Sequence, residues 1–180
     1  TSLESIPENL FAGVNGSAAW MFYETFSGCT SLESIPENLF AGVSGSADDM
    51  FNVTFGGCTS LESIPENLFA GVSGSADYMF YSTFRNCTGL RGYIPYNTFP
   101  GSDVLDVSTM EYTFYNTTLD ETCPADMYQY ITGFESNWSG KVSCTPCPDT
   151  HPNSVAGKNS TINQCYTSCT TACEQPTCPD

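Results

Sequence analysis

The sequence predicts an α/β fold: a solenoid of short strands and short helices, followed by a small, disulfide-rich and mostly irregular C-terminal segment. Two observations predict it. Residues 1–29, 30–58 and 59–87 are copies of one 29-residue unit, and seven of the ten cysteines lie after residue 118. A fixed period of this length indicates stacked coils that bury their apolar faces on one another. We therefore expect a repeat region at 1–118 and a cysteine-rich, stalk-like region at 119–180, and we expect the chain to be an internal piece of a longer protein.

The first half of each repeat predicts a short strand followed by a helical turn. Thr-Ser-Leu-Glu-Ser-Ile alternates in polarity, which would turn Leu3 and Ile6 towards the core. Ser5 and Glu8 have the spacing of a capping box, so a helical turn is expected to begin there and to end at Gly13.

The second half of each repeat predicts a helix capped by Ser17. Its apolar residues recur at steps of three and four, which is the spacing of one helix face: Ala18, Met21, Phe22, Phe26 and Cys29. Residues on the other face differ between copies, and we expect them to be exposed. Exposed Trp and Tyr are typical anchors of binding patches, so Trp20, Tyr78 and Tyr81 are the candidate binding residues.

The fourth copy is degenerate. It runs from Thr88 to about Thr117, with the motif Met-Glu-Tyr-Thr-Phe-Tyr-Asn in its second half. Thr117 stands where the other copies have a cysteine.

The motifs Met-Phe-x-x-Thr-Phe-x-x-Cys and Phe-x-x-Cys-Thr-x-Leu, the second found at 26–32, 55–61 and 84–90, resemble the BspA-like leucine-rich repeats of bacterial surface proteins. This resemblance covers roughly residues 1–118. It implies a right-handed, leucine-rich-repeat-like solenoid and a role in adhesion or recognition. The motif Cys144-Thr-Pro-Cys147-Pro, with Gly157 and Cys165 after it, is similar to ephrin-receptor-like and TNF-receptor-like stalk modules.

The ten cysteines form two groups. Cys29, Cys58 and Cys87 end equivalent segments of the repeats, and we expect them to be a row of buried thiols. The other seven lie in a region without apolar periodicity that needs disulfides, and they are Cys123, Cys144, Cys147, Cys165, Cys169, Cys173 and Cys178. The expected pairs are Cys123–Cys144 and Cys147–Cys165. Cys169 is expected to bond to Cys173 or Cys178, and the remaining cysteine to a partner beyond Asp180.

The charge balance excludes several kinds of partner. The net charge is −16 with four basic residues, and residues 1–84 contain no Lys or Arg against ten carboxylates. A nucleic-acid binder or a protein attached to anionic lipid needs cations, so neither is expected. No apolar run approaches the roughly 20 residues of a membrane helix, so we expect no membrane insertion in this segment. Disulfides and six Asn-x-Ser/Thr sequons indicate an extracellular protein, at the cell surface or secreted.

No catalytic motif is present, and the single histidine, His151, is interpreted as an exposed loop residue, so we expect no enzyme. Stacked coils would align Glu4, Glu33 and Glu62 in one row and Glu8, Glu37 and Glu66 in another. Capture of Ca²⁺ between the rows is one interpretation. Capping and solvation is the favoured one, so no cofactor or metal is expected. Disulfides are likewise favoured over zinc at Cys144-x-x-Cys147.

The function expected from the sequence is recognition or adhesion at the cell surface, with the repeats as a binding platform. The partner would be a protein or glycan on another cell or in the matrix. The alternative is a structural subunit of a self-assembling surface layer or extracellular filament, in which the partner is another copy of the chain.

Overall fold

The computed structural model describes residues 3–95, 97–99, 107–129, 138 and 140–147. Four successive coils make up the repeat region: coil 1 is 3–29, coil 2 is 30–58, coil 3 is 59–87, and coil 4 is the described part of 88–117. The regular elements are short, namely strand β1 (Ile94–Pro95), helix α1 (Val107–Met110), strand β2 (Met127–Gln129) and strand β3 (Ser143–Pro146).

The second half of each repeat is a run of overlapping turns where the sequence predicts a helix. Within residues 18–29, every second backbone N–H donates to the carbonyl three residues earlier, as Cys29 does to Phe26 at 3.1 Å. The N–H groups between them cross to the next coil, as Phe26 donates to Thr54 at 2.9 Å. The helix prediction is therefore wrong for this segment. A turn every four residues places Phe22 and Phe26 on one side, as a helix of 3.6 residues per turn also would.

Left-handed backbone at every fourth residue is what shapes these turns. In coil 1, φ is +62° at Trp20, +51° at Glu24 and +69° at Gly28. Each of these residues is the third of its turn, where type II turns require a positive φ. The equivalent residues of the later coils share this conformation: Asp49, Val53, Gly57, Tyr78, Ser82, Asn86, Tyr112 and Asn116.

The first half of each repeat also consists of bends and turns. Leu10 donates to Pro7 at 3.3 Å, and this bond closes a turn of the same kind, with φ of +61° at its third residue, Asn9. The prediction of a helical turn here is therefore wrong. Residues 3–6 form no strand, contrary to the sequence prediction, because a single backbone hydrogen bond per coil crosses there, as from Glu33 to Glu4 at 3.4 Å.

The coils stack in parallel, each on the next. Isolated parallel bridges join Gly16 to Val43 and Gly45 to Val72. Between coils 1, 2 and 3 the crossing N–H of the turn segment bonds to a carbonyl 28 residues later, whereas from coil 3 to coil 4 the separation is 29. This one-residue difference places Met110 where the other coils have a phenylalanine.

Three columns of phenylalanine rings run through the stack and form the core. Neighbouring rings in a column are nearly parallel, with centroids 5.3–5.8 Å apart. The columns are Phe11–Phe40–Phe69–Phe99, Phe22–Phe51–Phe80 and Phe26–Phe55–Phe84–Phe114. Leu32, Leu61 and Leu90 add a fully buried leucine row beside them.

The two ends of the stack differ. Trp138 is buried against Phe99 and Phe114 of coil 4, at 6.1 and 5.5 Å between ring centroids. Strand β3 pairs in parallel with β1 and antiparallel with β2, in the order β1-β3-β2. The cysteine-rich region therefore covers coil 4. At the other end, Leu3 and Leu10 are exposed, whereas their counterparts in coil 2 are buried.

Candidate recognition surface

The side chains that differ between copies lie on one lateral side of the stack, which we call the variable face. In coils 1–3 it comprises Ala19/Asp48/Asp77, Trp20/Asp49/Tyr78, Tyr23/Asn52/Tyr81 and Glu24/Val53/Ser82. The crossing hydrogen bonds place Glu111, Tyr112 and Tyr115 of coil 4 on the same face. Trp20 and Tyr78 are exposed, at 55% and 45%, and Tyr81 is half-buried.

An aromatic-x-Phe-Tyr motif sets the chemistry of this face. It occurs at Trp20–Tyr23 in coil 1, Tyr78–Tyr81 in coil 3 and Tyr112–Tyr115 in coil 4. The phenylalanine of each motif is buried in the core. The four residues of the motif form one turn, in which the N–H of the fourth residue donates to the carbonyl of the first. The side chains of the first and fourth residues therefore lie side by side on the surface. Their rings meet edge to face, with centroids 5.0, 5.6 and 5.9 Å apart.

Coil 2 has a polar pair at the same place. Its motif reads Asp49-Met-Phe-Asn52, and the Asn52 amide nitrogen donates to the Asp49 carboxylate at 2.6 Å. The polar pair of coil 2 separates the aromatic pair of coil 1 from the aromatic residues of coils 3 and 4.

The aromatic residues of coils 3 and 4 form one continuous patch, the aromatic ledge, made of Tyr78, Tyr81, Tyr112 and Tyr115. Tyr81 meets Tyr112 across the coil boundary, with centroids 5.7 Å apart. The guanidinium of Arg85 lies 5.5 Å from the centroid of the Tyr115 ring. The structure thus brings together Tyr78 and Tyr81 of the three predicted binding residues and leaves Trp20 two coils away.

Sequence reasoning missed Tyr23, Tyr112 and Tyr115 as candidates. The signal was the recurrence of aromatic-x-Phe-Tyr, which is visible in the degenerate copy as Tyr-Thr-Phe-Tyr. Aligning the copies on their methionines hides this recurrence. The reason is that Tyr112 and Tyr115 of coil 4 lie one turn further along their coil than Tyr78 and Tyr81 lie along coil 3.

Carboxylates accompany the rings on the variable face. They are Glu24, Asp48, Asp49, Asp77 and Glu111. The hydroxyl of Tyr23 donates to the carboxylate of Glu24, and this bond, with the negative charge of Glu24 and to a lesser degree that of Asp49, raises the pKa of Tyr23. Arg85 is the one basic side chain that the described residues place on this face.

The other carboxylate rows lie elsewhere on the coils. Glu4, Glu33 and Glu62 are exposed, as are Glu8, Glu37 and Glu66. Glu8 and Glu37 line a shallow groove with Asn9, Asn38 and the Ile35-Pro36 bend. Within the described part of the chain, no three His, Cys, Asp or Glu side chains are grouped closely enough to hold a metal ion.

The repeat cysteines form a buried row of thiols. The Cys58 thiol donates to the carbonyl of Phe26 at 3.2 Å, and the Cys87 thiol to that of Phe55 at 3.0 Å. Burial raises the pKa of Cys58 to about 12, with a smaller effect of the neighbouring Cys29, and burial raises that of Cys87 as well.

A disulfide joins Cys123 to Cys144, the pair expected from the sequence, with 5.7 Å between the Cα atoms. Cys147 is also disulfide-bonded. Its expected partner Cys165 lies outside the described residues, and so do Cys169, Cys173, Cys178 and His151.

Helix α1 has four residues, and the described part of the chain contains no helix with the length and apolar character that a membrane span needs. No protein-family model, curated protein or solved structure matches this chain. The resemblance to BspA-like repeats therefore stays an expectation drawn from the motifs.

Proposed function

We propose that the chain is an extracellular, non-enzymatic recognition module. The stacked coils act as a leucine-rich-repeat-like solenoid, and the variable face is its binding platform. The cysteine-rich region covers coil 4 and continues as a stalk. The Cys123–Cys144 disulfide supports an oxidising compartment, since disulfides persist mainly in secreted and surface proteins.

The backbone conformation of the exposed aromatic residues carries this proposal. Trp20, Tyr78 and Tyr112 have φ of +62°, +57° and +57°, in the left-handed region that costs a bulky L residue about 1–2 kcal/mol. The last left-handed position of the turn segment, by contrast, holds residues that adopt this conformation readily in all four coils: Gly28, Gly57, Asn86 and Asn116. The fold does not require an aromatic residue at these positions, since the equivalent positions of other coils hold Glu24, Asp49 and Ser82. Strain of this kind is concentrated at functional sites, so a role in binding explains it best.

The test replaces the strained aromatic residues by asparagine, which tolerates a left-handed backbone. The double variant Trp20→Asn/Tyr78→Asn and the native chain are compared on arrays of purified matrix proteins and glycans. We expect binding to the recognised array members to fall at least tenfold. The free energy of unfolding should not fall, because relief of strain offsets the lost edge-to-face contacts, worth about 0.5–1.5 kcal/mol each.

Tyr81→Asn is the matched control, because φ is not positive at Tyr81 and no strain is relieved there. It should lose both binding and some stability. Equal binding by the native chain and the double variant, or no binding by the native chain to any array member, would contradict the proposal.

A second candidate function is a subunit of a self-assembling layer or filament. The near-identical coils 1–3 favour it, because they stack in parallel through backbone hydrogen bonds. The cover that Trp138 forms on coil 4 argues against growth at that end of the stack. Sedimentation velocity with electron microscopy separates the two functions: ordered fibres would favour the filament, and a monodisperse monomer would exclude it.

A further inference from the structure

We propose that the partner bound by the variable face is a cationic polypeptide segment, rich in Arg or Lys. This inference rests on the proposed function and adds the chemistry of the ligand. Aromatic faces attract ammonium and guanidinium groups, and nearby carboxylates add a second attraction for the same groups.

The composition of the face supports a cationic ligand. Five carboxylates lie among six exposed or half-buried aromatic rings: Glu24, Asp48, Asp49, Asp77 and Glu111 among Trp20, Tyr23, Tyr78, Tyr81, Tyr112 and Tyr115. Coils 1 and 2 contain no basic residue that would neutralise them. Clefts and faces of one sign raise the local concentration of oppositely charged partners and speed their association.

Arg85 shows that this face accepts a cation on a ring. Its guanidinium lies over Tyr115 at 5.5 Å from the centroid, at the coil 4 edge of the aromatic ledge. The equivalent residue is Ser27 in coil 1 and Gly56 in coil 2, so neither coil supplies such a cation to its own neighbours. An Arg or Lys side chain of a partner would make the same contact at Trp20, Tyr23 or Tyr78.

The ring orientations disfavour a flat carbohydrate. Within each aromatic pair the ring planes are 73–86° apart, and Tyr81 and Tyr112 are 85° apart. A flat polysaccharide surface would need coplanar rings on which to stack. Separate, steeply inclined rings next to carboxylates suit separate cationic side chains along a polypeptide.

The experiment measures binding of a fluorescent 12-residue Arg-Gly repeat peptide. A Ser-Gly repeat of the same length is the uncharged control, and a Glu-Gly repeat is the negatively charged one. Two variants of equal net charge are compared. Asp48→Asn/Asp49→Asn/Asp77→Asn removes three carboxylates from the variable face. Glu33→Gln/Glu62→Gln/Glu66→Gln removes three exposed carboxylates from other parts of coils 2 and 3.

We expect the variable-face triple variant to bind the Arg-Gly peptide at least tenfold more weakly than the native chain, and the other triple variant to lose less than threefold. Tyr78→Asn/Tyr112→Asn should also lose about tenfold, because rings are removed without a change of charge. Equal losses in the two triple variants would show that net charge alone attracts the peptide, and would overturn the inference. So would equal binding of the Arg-Gly and Ser-Gly peptides.

Comparing array binding with peptide binding shows whether a failure concerns this inference alone or the proposed function as well. If Trp20→Asn/Tyr78→Asn abolishes binding to an array member while the two triple variants bind the Arg-Gly peptide alike, the recognition function stands and the cationic ligand is wrong. If the array binding is unchanged as well, both are wrong.

Discussion

Gly56 leaves the space that Val53 occupies: a Cβ atom at residue 56 would lie 2.5 Å from Cγ1 of Val53. Val53 has φ of +55°, which is an outlier for a β-branched residue. The equivalent pairs are Glu24 with Ser27 in coil 1 and Ser82 with Arg85 in coil 3, so the small residue and the branched one occur in the same coil.

This relationship predicts that the two positions are coupled. Gly56→Ala should lower the free energy of unfolding by about 1–3 kcal/mol, as overpacking usually does. Val53→Asn should raise it by about 1 kcal/mol, because Asn tolerates the left-handed backbone. In the Val53→Asn background, Gly56→Ala should cost less than 1 kcal/mol. Urea titrations of the four proteins give the coupling energy, and additive effects would show that the contact is unimportant.

The sequence predicts the repeat period and most of the inward-facing residues correctly, because both follow from a short, local pattern. The prediction is wrong for Leu3 and Ala18, which are exposed in coil 1. Phe26, Phe55 and Phe84 are buried, as that pattern predicts. The turns were not predictable in the same way, because a four-residue turn and a helix bury the same side chains. Gly28 and Gly57 at the end of the turn segment were the local sign of a left-handed backbone.

Features that depend on distant parts of the chain could not be predicted. Trp138 covers coil 4 from a region that shows no repeat, and β3 pairs with β1 across about 50 residues of sequence. The aromatic ledge was half predicted: Tyr78 and Tyr81 lie in regular copies, whereas Tyr112 and Tyr115 join them through the one-turn displacement of coil 4.

A buried threonine row should contribute measurably to the stability of the stack. The hydroxyl of Thr83 lies 3.0 Å from the Phe51 carbonyl and 2.8 Å from that of Phe80. Thr83→Val keeps the shape but removes the donor, so we expect a loss of about 1–3 kcal/mol, the cost of a buried unsatisfied group. Thr25→Val at the exposed equivalent site should change stability by less than about 0.5 kcal/mol. Similar losses for both, measured by chemical denaturation, would contradict this role.

The phenylalanine columns predict a graded cost of truncation. Phe55 and Phe84 are each stacked between two rings of their column, at 5.4–5.6 Å. Phe55→Ala and Phe84→Ala should each cost about 3–5 kcal/mol. Phe26 is stacked on one ring of that column at the open end, so Phe26→Ala should cost less. A loss below about 1 kcal/mol for Phe55→Ala, in the same denaturation assay, would contradict the packing.

Trp138 should stabilise coil 4 more than coil 1. Trp138→Ala removes the ring that covers Phe99 and Phe114, and we expect a loss of about 3–5 kcal/mol. Hydrogen exchange should show the greatest increase at the amides of Phe80 and Phe84, which donate to Thr109 and Thr113 of coil 4. A matched change at the open end, Leu10→Ala, should leave those amides protected, and uniform loss of protection in both variants would contradict a local effect.

The buried thiol of Cys58 should make stability depend on alkaline pH. Its pKa is about 12 in the folded chain against an ordinary value of 9.0, because burial disfavours the thiolate. Between these values the unfolded chain releases a proton that the folded chain keeps. The contribution of the Cys58 thiol to the free energy of unfolding is therefore fully present below pH 9. The free energy of unfolding then falls by about 1.4 kcal/mol per pH unit from about pH 9 to about pH 12.

Cys58→Ser is the matched control for this dependence, since its hydroxyl keeps a donor for the Phe26 carbonyl and does not titrate in that range. Thr117 has a hydroxyl at the equivalent position of coil 4. Denaturation midpoints from pH 8 to 11 should fall less steeply for Cys58→Ser than for the native chain. At pH 8, a thiol-alkylating reagent should label Cys58 only after denaturation and should leave Cys123, Cys144 and Cys147 unlabelled without reductant. Rapid labelling of Cys58 in the folded chain, or identical pH profiles for the two proteins, would contradict a buried thiol row.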